Sequence, residues 1–127
     1  MKKAGLIHPD LLAAIAELGH LDELLVCDAG YPIPADVPRI DLAYRPGMPP
    51  FLDVLAALAA ELAVGGAVIA SEASVELGRA IEETVGVTPE RIPHAEVKRR
   101  ATGARVAVRT GEYTPYANVL LIMGVAF

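Results

Sequence analysis

The chain has 127 residues, 54% of them hydrophobic, with a formal net charge of −5. One domain accounts for that length, and no basic cluster exceeds Lys98-Arg99-Arg100, which argues against nucleic acid as a partner. A mean hydropathy of +0.42 is high for a small monomer, whose surface is large for its volume, so part of the apolar surface is expected to be covered by subunit contacts. Cys27 is the only cysteine, which excludes an intrachain disulfide and a four-cysteine zinc site and fits a reducing, cytoplasmic setting.

Met1-Lys2-Lys3 starts like a signal peptide, but His8, Pro9 and Asp10 interrupt it before an apolar region develops, and it reads as mature sequence. Pro9 at a first helical position, followed by Leu11, Leu12, Ile15 and Leu18 at helical spacing, predicts a helix through Leu18 with His8 as its cap and Gly19 as its stop. Glu23 to Cys27 predicts a strand, an apolar run with turn signals on both sides, and Cys27 is expected as a buried small hydrophobe. Gly30, Pro32, Pro34 and Pro38 make a stiff loop that can hold Asp28 still. Arg39 to Ala43 predicts a second strand.

Phe51 to Ala63 predicts a helix with Leu52, Leu55, Ala59 and Leu62 on one face, and Gly66 to Ala70 a buried strand. The run Val54 to Ala70 is broken by Glu61 and Gly65-Gly66 and falls short of the roughly 20 apolar residues of a membrane span. A more polar helix is predicted over Ser74 to Thr84, a short edge strand at Arg91-Ile92, and a helix from His94 to Ala101 with a basic face at Lys98 to Arg100. Ala104 to Thr110 and Val119 to Met123 predict the last two strands. Strands interleaved with helices indicate an α/β fold with helices on both faces of a central sheet.

Two polar patches stand out in this apolar chain. One runs from Gly19-His20 to Asp28-Ala29-Gly30 and on through Pro32-Ile33-Pro34; the other is Thr114-Pro115-Tyr116-Ala117-Asn118. Read without context, His20 is a histidine just past a helix end, Asp28 a turn former and His94 a helix-start cap. Their combination resembles the D-ribose pyranase and fucose mutarotase family over nearly the whole chain, and Asp28-Ala29-Gly30 followed by Pro32-Ile33-Pro34, with Thr114 to Asn118, is similar to the ribose branch rather than the fucose one. The segment between Glu72 and His94 departs from the family by being short.

The resemblance implies a three-layer sandwich with a mixed sheet and a sugar mutarotase activity that opens and recloses the ring of D-ribose. It makes His20 the general acid and makes Asp28, His94, Tyr116, Ala117 and Asn118 substrate-binding. No cofactor is required, because the chemistry is proton exchange with sugar oxygens and histidine titrates in the right range. A metal held by His20, His94 and a carboxylate is the weaker alternative. The resemblance further implies a homo-oligomer, a ring or paired rings such as a decamer. The five residues of the strand between His20 and Asp28 span about 17 Å, so a shared site needs a folded-back chain or a second subunit. The rival expectations are fucose as substrate, or a non-catalytic sugar-binding subunit associated with ribose uptake.

Overall fold

A computed structural model describes residues Met1–Phe127. Its elements are α1 (Pro9–Ala16), β1 (Glu23–Cys27), β2 (Arg39–Asp41), α2 (Phe51–Ala59), β3 (Val64–Ala70), α3 (Val75–Val85), β4 (Glu90–Ile92), α4 (His94–Arg100) with a 3₁₀ turn at Ala101–Gly103, β5 (Val106–Arg109) and β6 (Val119–Met123). The strands form one sheet in the order β2-β5-β1-β6-β3-β4. β6 runs antiparallel to its neighbours β1 and β3, whereas β1 with β5, β2 with β5 and β3 with β4 are parallel. This is the mixed sheet the resemblance implied. One direction of travel therefore unites β1 to β5, and their carboxyl ends lie along one edge together with the start of β6.

Strand residues alternate between two buried faces, as a period of two requires. Leu24, Val26, Ile69, Val106, Val108, Val119 and Leu121 pack with Leu11 of α1, Phe51, Val54, Leu55 and Leu58 of α2, and Ile81 and Val85 of α3. Leu25, Cys27, Val68, Ala70, Ala107 and Leu120 face the other way, against Val97 of α4, Ala101, and Tyr31, Ile33 and Val37 of the loop after β1. Helices thus cover both faces, but unevenly: three on one, a single short helix and a proline-rich loop on the other. Each enclosed leucine, isoleucine or phenylalanine contributes about 1.5–3 kcal/mol relative to exposure. Leu24 and Leu25 both reach 0% exposure on opposite faces of β1, so a polar residue at either would break a different layer.

Several boundaries differ from the sequence reading: β2 ends at Asp41 rather than Ala43, β5 spans Val106–Arg109 rather than Ala104 to Thr110, and three further shifts are larger or have a visible local cause. α1 ends at Ala16 because Glu17 and Leu18 donate to Ala14 and Ile15, three residues back, tightening the last turn. α2 stops at Ala59, and its buried face is Phe51, Val54, Leu55 and Leu58; Leu52, placed on that face by periodicity, is 38% exposed. β3 starts at Val64 because Gly65 lies against the Gly124 backbone, where a Cβ would come within 2.9 Å of its Cα. Only a glycine lets β3 approach the end of β6 so closely, and Gly124 donates to the Ala63 carbonyl at 2.7 Å there.

Candidate active site

The candidate residues leave the carboxyl edge of the sheet, where open α/β sheets place their ligands. Asp28 follows β1, His94 follows β4, and Tyr116 to Asn118 lead into β6. Asp28 forms the turn expected of it, its Oδ1 accepting from Gly30 N–H at 2.9 Å. Its own N–H donates to Asn118 Oδ1 at 3.0 Å. Asn118 is 1% exposed, and that bond fixes which way its carboxamide faces: the oxygen is spent on Asp28 and the nitrogen is left as a donor.

Tyr116 has φ +62, a left-handed conformation costing a non-glycine residue roughly 1–2 kcal/mol. It sits in a turn closed by Ala117 N–H to the Thr114 carbonyl (3.3 Å) and Asn118 N–H to the Tyr116 carbonyl (2.8 Å). The strained backbone presents the Tyr116 ring edge-on to His94, with centroids 5.2 Å apart. His94 opens α4, and Glu72 at the end of β3 accepts its N–H with both carboxylate oxygens, at 2.9 and 3.2 Å. Hydrogen bonds within its own backbone, from His94 and from Ser71 lower the Glu72 pKa, so the carboxylate is charged when it caps this helix.

On its other side His94 meets Tyr31, centroids 6.0 Å apart and nearly perpendicular, and Tyr31 N–H returns to the Asp28 carbonyl at 3.4 Å. The contacts therefore close a circuit: Asp28, Asn118, Tyr116, His94, Tyr31 and back to Asp28. Tyr31 carries no motif that singles it out in the sequence. Its position three residues past Asp28 in a stiff loop was the only available signal. Tyr31 OH and His94 Nδ1 are the two enclosed side-chain polar atoms with no partner within the chain. Burial, with the Cys27 and Asp28 charges next in order, pushes the Tyr31 phenol up to about 12, so it is a neutral donor at physiological pH.

Ala117 belongs to the core rather than to the circuit: its side chain is 1% exposed and packs in the cluster with Val119. Beside the circuit lies a cleft of about 310 Å³ lined by Asp28, Ala29, Gly30, Arg109, Glu112, Tyr113, Thr114 and Pro115. Arg109 is already engaged there, with Asp41 Oδ2 at 2.6 Å and the Ala29 carbonyl at 3.0 Å.

His20 stands apart. It precedes β1, so the full strand separates it from Asp28, and it lines a separate hollow with Leu18, Glu61, Met123 and the tail Val125 to Phe127. The two groups of the first sequence patch are thus divided by the sheet, and Asp28 joins the second patch. Within one chain His20 and His94 do not converge. The residue after His20, Leu21, has φ +69; it and Tyr116 are the chain's two non-glycine residues of positive φ. Strained backbone gathers at functional positions, and here it marks both edges of the sheet.

The profile of the RbsD / FucU transport protein family matches residues 1–126. The chain belongs to this family. Among similar family proteins is a D-ribose pyranase from Paracidovorax citrulli, 49% identical with both chains covered completely. One from Streptomyces coelicolor is likewise 49% identical at full coverage. The structure of Bacillus subtilis RbsD complexed with D-ribose matches with a TM-score of 0.93 and 39% identity over the whole of both chains. A fucose mutarotase from Streptococcus pneumoniae in complex with L-fucose, 22% identical over 95% of each chain with a TM-score of 0.80, shares the fold.

Proposed function

We infer that this chain is an isomerase that interconverts the pyranose and furanose forms of D-ribose. The closed circuit of Asp28, Asn118, Tyr116, His94 and Tyr31 carries the reading on the structural side. The full-length likeness to a protein complexed with D-ribose carries it on the comparative side.

Ring exchange breaks the bond between the anomeric carbon and the ring oxygen. A proton leaves the anomeric hydroxyl, one is delivered to the ring oxygen, and the open aldehyde recloses through a different hydroxyl with the transfers reversed. No electrons change hands, and positioned acid–base catalysis of about 10²–10⁴-fold is the scale required. Asp28 accepts from sugar hydroxyls, Asn118 Nδ2 and Tyr116 OH donate to or share them, and His94 holds another. The Ala117 side chain is enclosed, so only its backbone borders the sugar. A site built on such hydrogen bonds discriminates among sugars because a missing hydroxyl leaves a site group unpaired.

The proton-transfer group is His20, supplied by a neighbouring copy of the chain. Its own chain keeps it a strand's length from Asp28. Around it Leu21 (66% exposed), Val125 (50%) and Phe127 (104%) form an apolar surface of the kind that subunit contacts cover. The assembly is a closed homo-oligomer, a ring or paired rings such as a decamer, with sites at the boundaries. Its setting is the cytoplasm, consistent with a lone buried thiol; no helix is long and apolar enough to cross a membrane.

Saturation-transfer NMR on D-ribose tests the function: the protein is expected to speed pyranose–furanose exchange. Ribose binding without faster exchange would instead mark a carrier subunit, and acceleration confined to L-fucose would place the chain with the fucose mutarotases.

A further inference from the structure

We propose that Glu112 is a positioning residue of the sugar site, holding the Thr114 to Asn118 turn in the conformation that sets Tyr116 against His94. Glu112 lies in the β5–β6 connection, and its carboxylate folds back over its own loop. Oε1 accepts from Tyr113 N–H at 3.2 Å, Thr114 N–H at 3.1 Å and Thr114 Oγ1–H at 2.9 Å. Oε2 accepts from Phe51 N–H at 3.0 Å, the first residue of α2, whose N-cap Pro50 offers no side-chain acceptor. The Glu112 carbonyl takes Ala29 N–H at 2.9 Å, next to Asp28. One residue thus ties together the loop bearing Asp28, the start of a core helix and the turn bearing Tyr116.

That turn has little else to hold it. Tyr113, Thr114, Pro115 and Tyr116 are all exposed, so apolar burial does not fix it, and Tyr116 must be kept at positive φ. The route of constraint is short: Oε1 pins Thr114, the Thr114 carbonyl receives Ala117 N–H, and the turn so closed carries Tyr116 to His94. Gly111 lets the connection start where it does, since a Cβ there would run into the Met48 carbonyl. The two carboxylate oxygens serve different elements, so a glutamine offers one acceptor where two are needed and aims an N–H₂ at a donor on the other side.

The inference rests on the proposed sugar site, and the test separates the two. Amide hydrogen exchange by mass spectrometry and calorimetric D-ribose binding are measured on wild type, Glu112→Ala and Glu112→Gln, with KM and kcat from exchange NMR. In Glu112→Ala, exchange across residues 113–118 is expected to rise with β1 and β3 unchanged. Its Kd for ribose rises about tenfold, through KM more than kcat, and Glu112→Gln falls between it and wild type. Wild-type Kd and wild-type exchange at 113–118 in Glu112→Ala would overturn the proposal, as would exchange raised uniformly over the chain, which marks a merely structural role. Should Glu112→Ala not fold, Glu112→Gln is judged by the same criteria. If the wild type binds no ribose, the sugar reading fails, and positioning of the turn is decided by the exchange pattern alone.

Discussion

Asn118 links the two halves of the circuit, and replacing it separates what its oxygen does from what its nitrogen does. In Asn118→Ala the Asp28 N–H loses its acceptor at 3.0 Å in a spot where Asn118 is 1% exposed. An orphaned buried donor costs about 1–3 kcal/mol. A chain of 127 residues carries roughly 6–19 kcal/mol in total at the usual 0.05–0.15 per residue, so the variant folds. With a urea slope of about 1–3 kcal/mol per molar, its midpoint drops by on the order of 1 M. Asn118→Asp keeps an acceptor for the Asp28 N–H. It nevertheless exchanges the N–H₂ donor for a second acceptor. Both variants are therefore expected to lose ribose affinity by about tenfold or more, and the alanine to lose stability as well. Urea unfolding followed by circular dichroism, paired with calorimetry, reads both quantities. An aspartate with wild-type ribose affinity, or an alanine with a wild-type midpoint, would refute the division of labour between the two atoms.

The other predictions are simpler. Cys27 is 0% exposed and burial, reinforced by Asp28, pushes its thiol up to about 12, so native protein resists iodoacetamide at neutral pH and is alkylated only after denaturation; rapid native labelling would contradict the packing of β1. Tyr31 ionises late: the phenolate absorbance assigned to it by difference with Tyr31→Phe is expected near pH 12, and an earlier appearance would show the ring to be less enclosed. For Glu112, burial acts to raise the pKa, but the hydrogen bonds from Phe51, Thr114 and Tyr113 outweigh it and hold it below the usual carboxylate value. Arg109 and Asp28 share its cleft, and Arg109 is occupied by Asp41. The depressed folded-state pKa makes this contribution complete above the ordinary carboxylate range and lost as pH falls through it. The Tm gap between wild type and Glu112→Gln is thus expected at pH 7 and to close on acidification; a gap that widens in acid reverses the sign and the argument.

The elements were largely legible in sequence because their signals are local. Pro9 and Gly19 bracket α1, the Leu24 to Val26 run marks β1, and Val106 with Val108 alternates as β5 requires. Leu52 misled because Phe51, Val54, Leu55 and Leu58 make an equally good helical stripe, and the sheet decides which stripe is buried. Site residues were visible as polar letters in an apolar chain, but their grouping was not. That Asp28 belongs with Asn118 rather than with its near neighbour His20 follows from β6 running antiparallel beside β1, a pairing between residues far apart in sequence. Tyr31 and Glu112 escaped because neither has a distinguishing spacing: one contributes a ring edge to His94, the other accepts backbone N–H groups, and such contacts exist only in the folded chain.

The central claim, ribose ring exchange at a site made from two chains, is tested most directly by mixing two impaired variants. The His20 side chain is exposed and makes no hydrogen bond within its chain, so His20→Ala should change stability by less than about 0.5 kcal/mol and keep the wild-type circular dichroism spectrum. Asn118→Ala is folded but defective in sugar binding. Alone, His20→Ala is expected to leave D-ribose exchange at the spontaneous rate in saturation-transfer NMR, and Asn118→Ala to retain about a tenth of the wild-type acceleration or less. When they are dissociated and reassembled together at equal amounts, roughly a quarter of boundaries pair an intact His20 with an intact Asn118, and exchange should return at about that fraction of the wild-type rate. Hybrid oligomers that form and stay inactive, or a monomeric wild type that is fully active, would contradict the account.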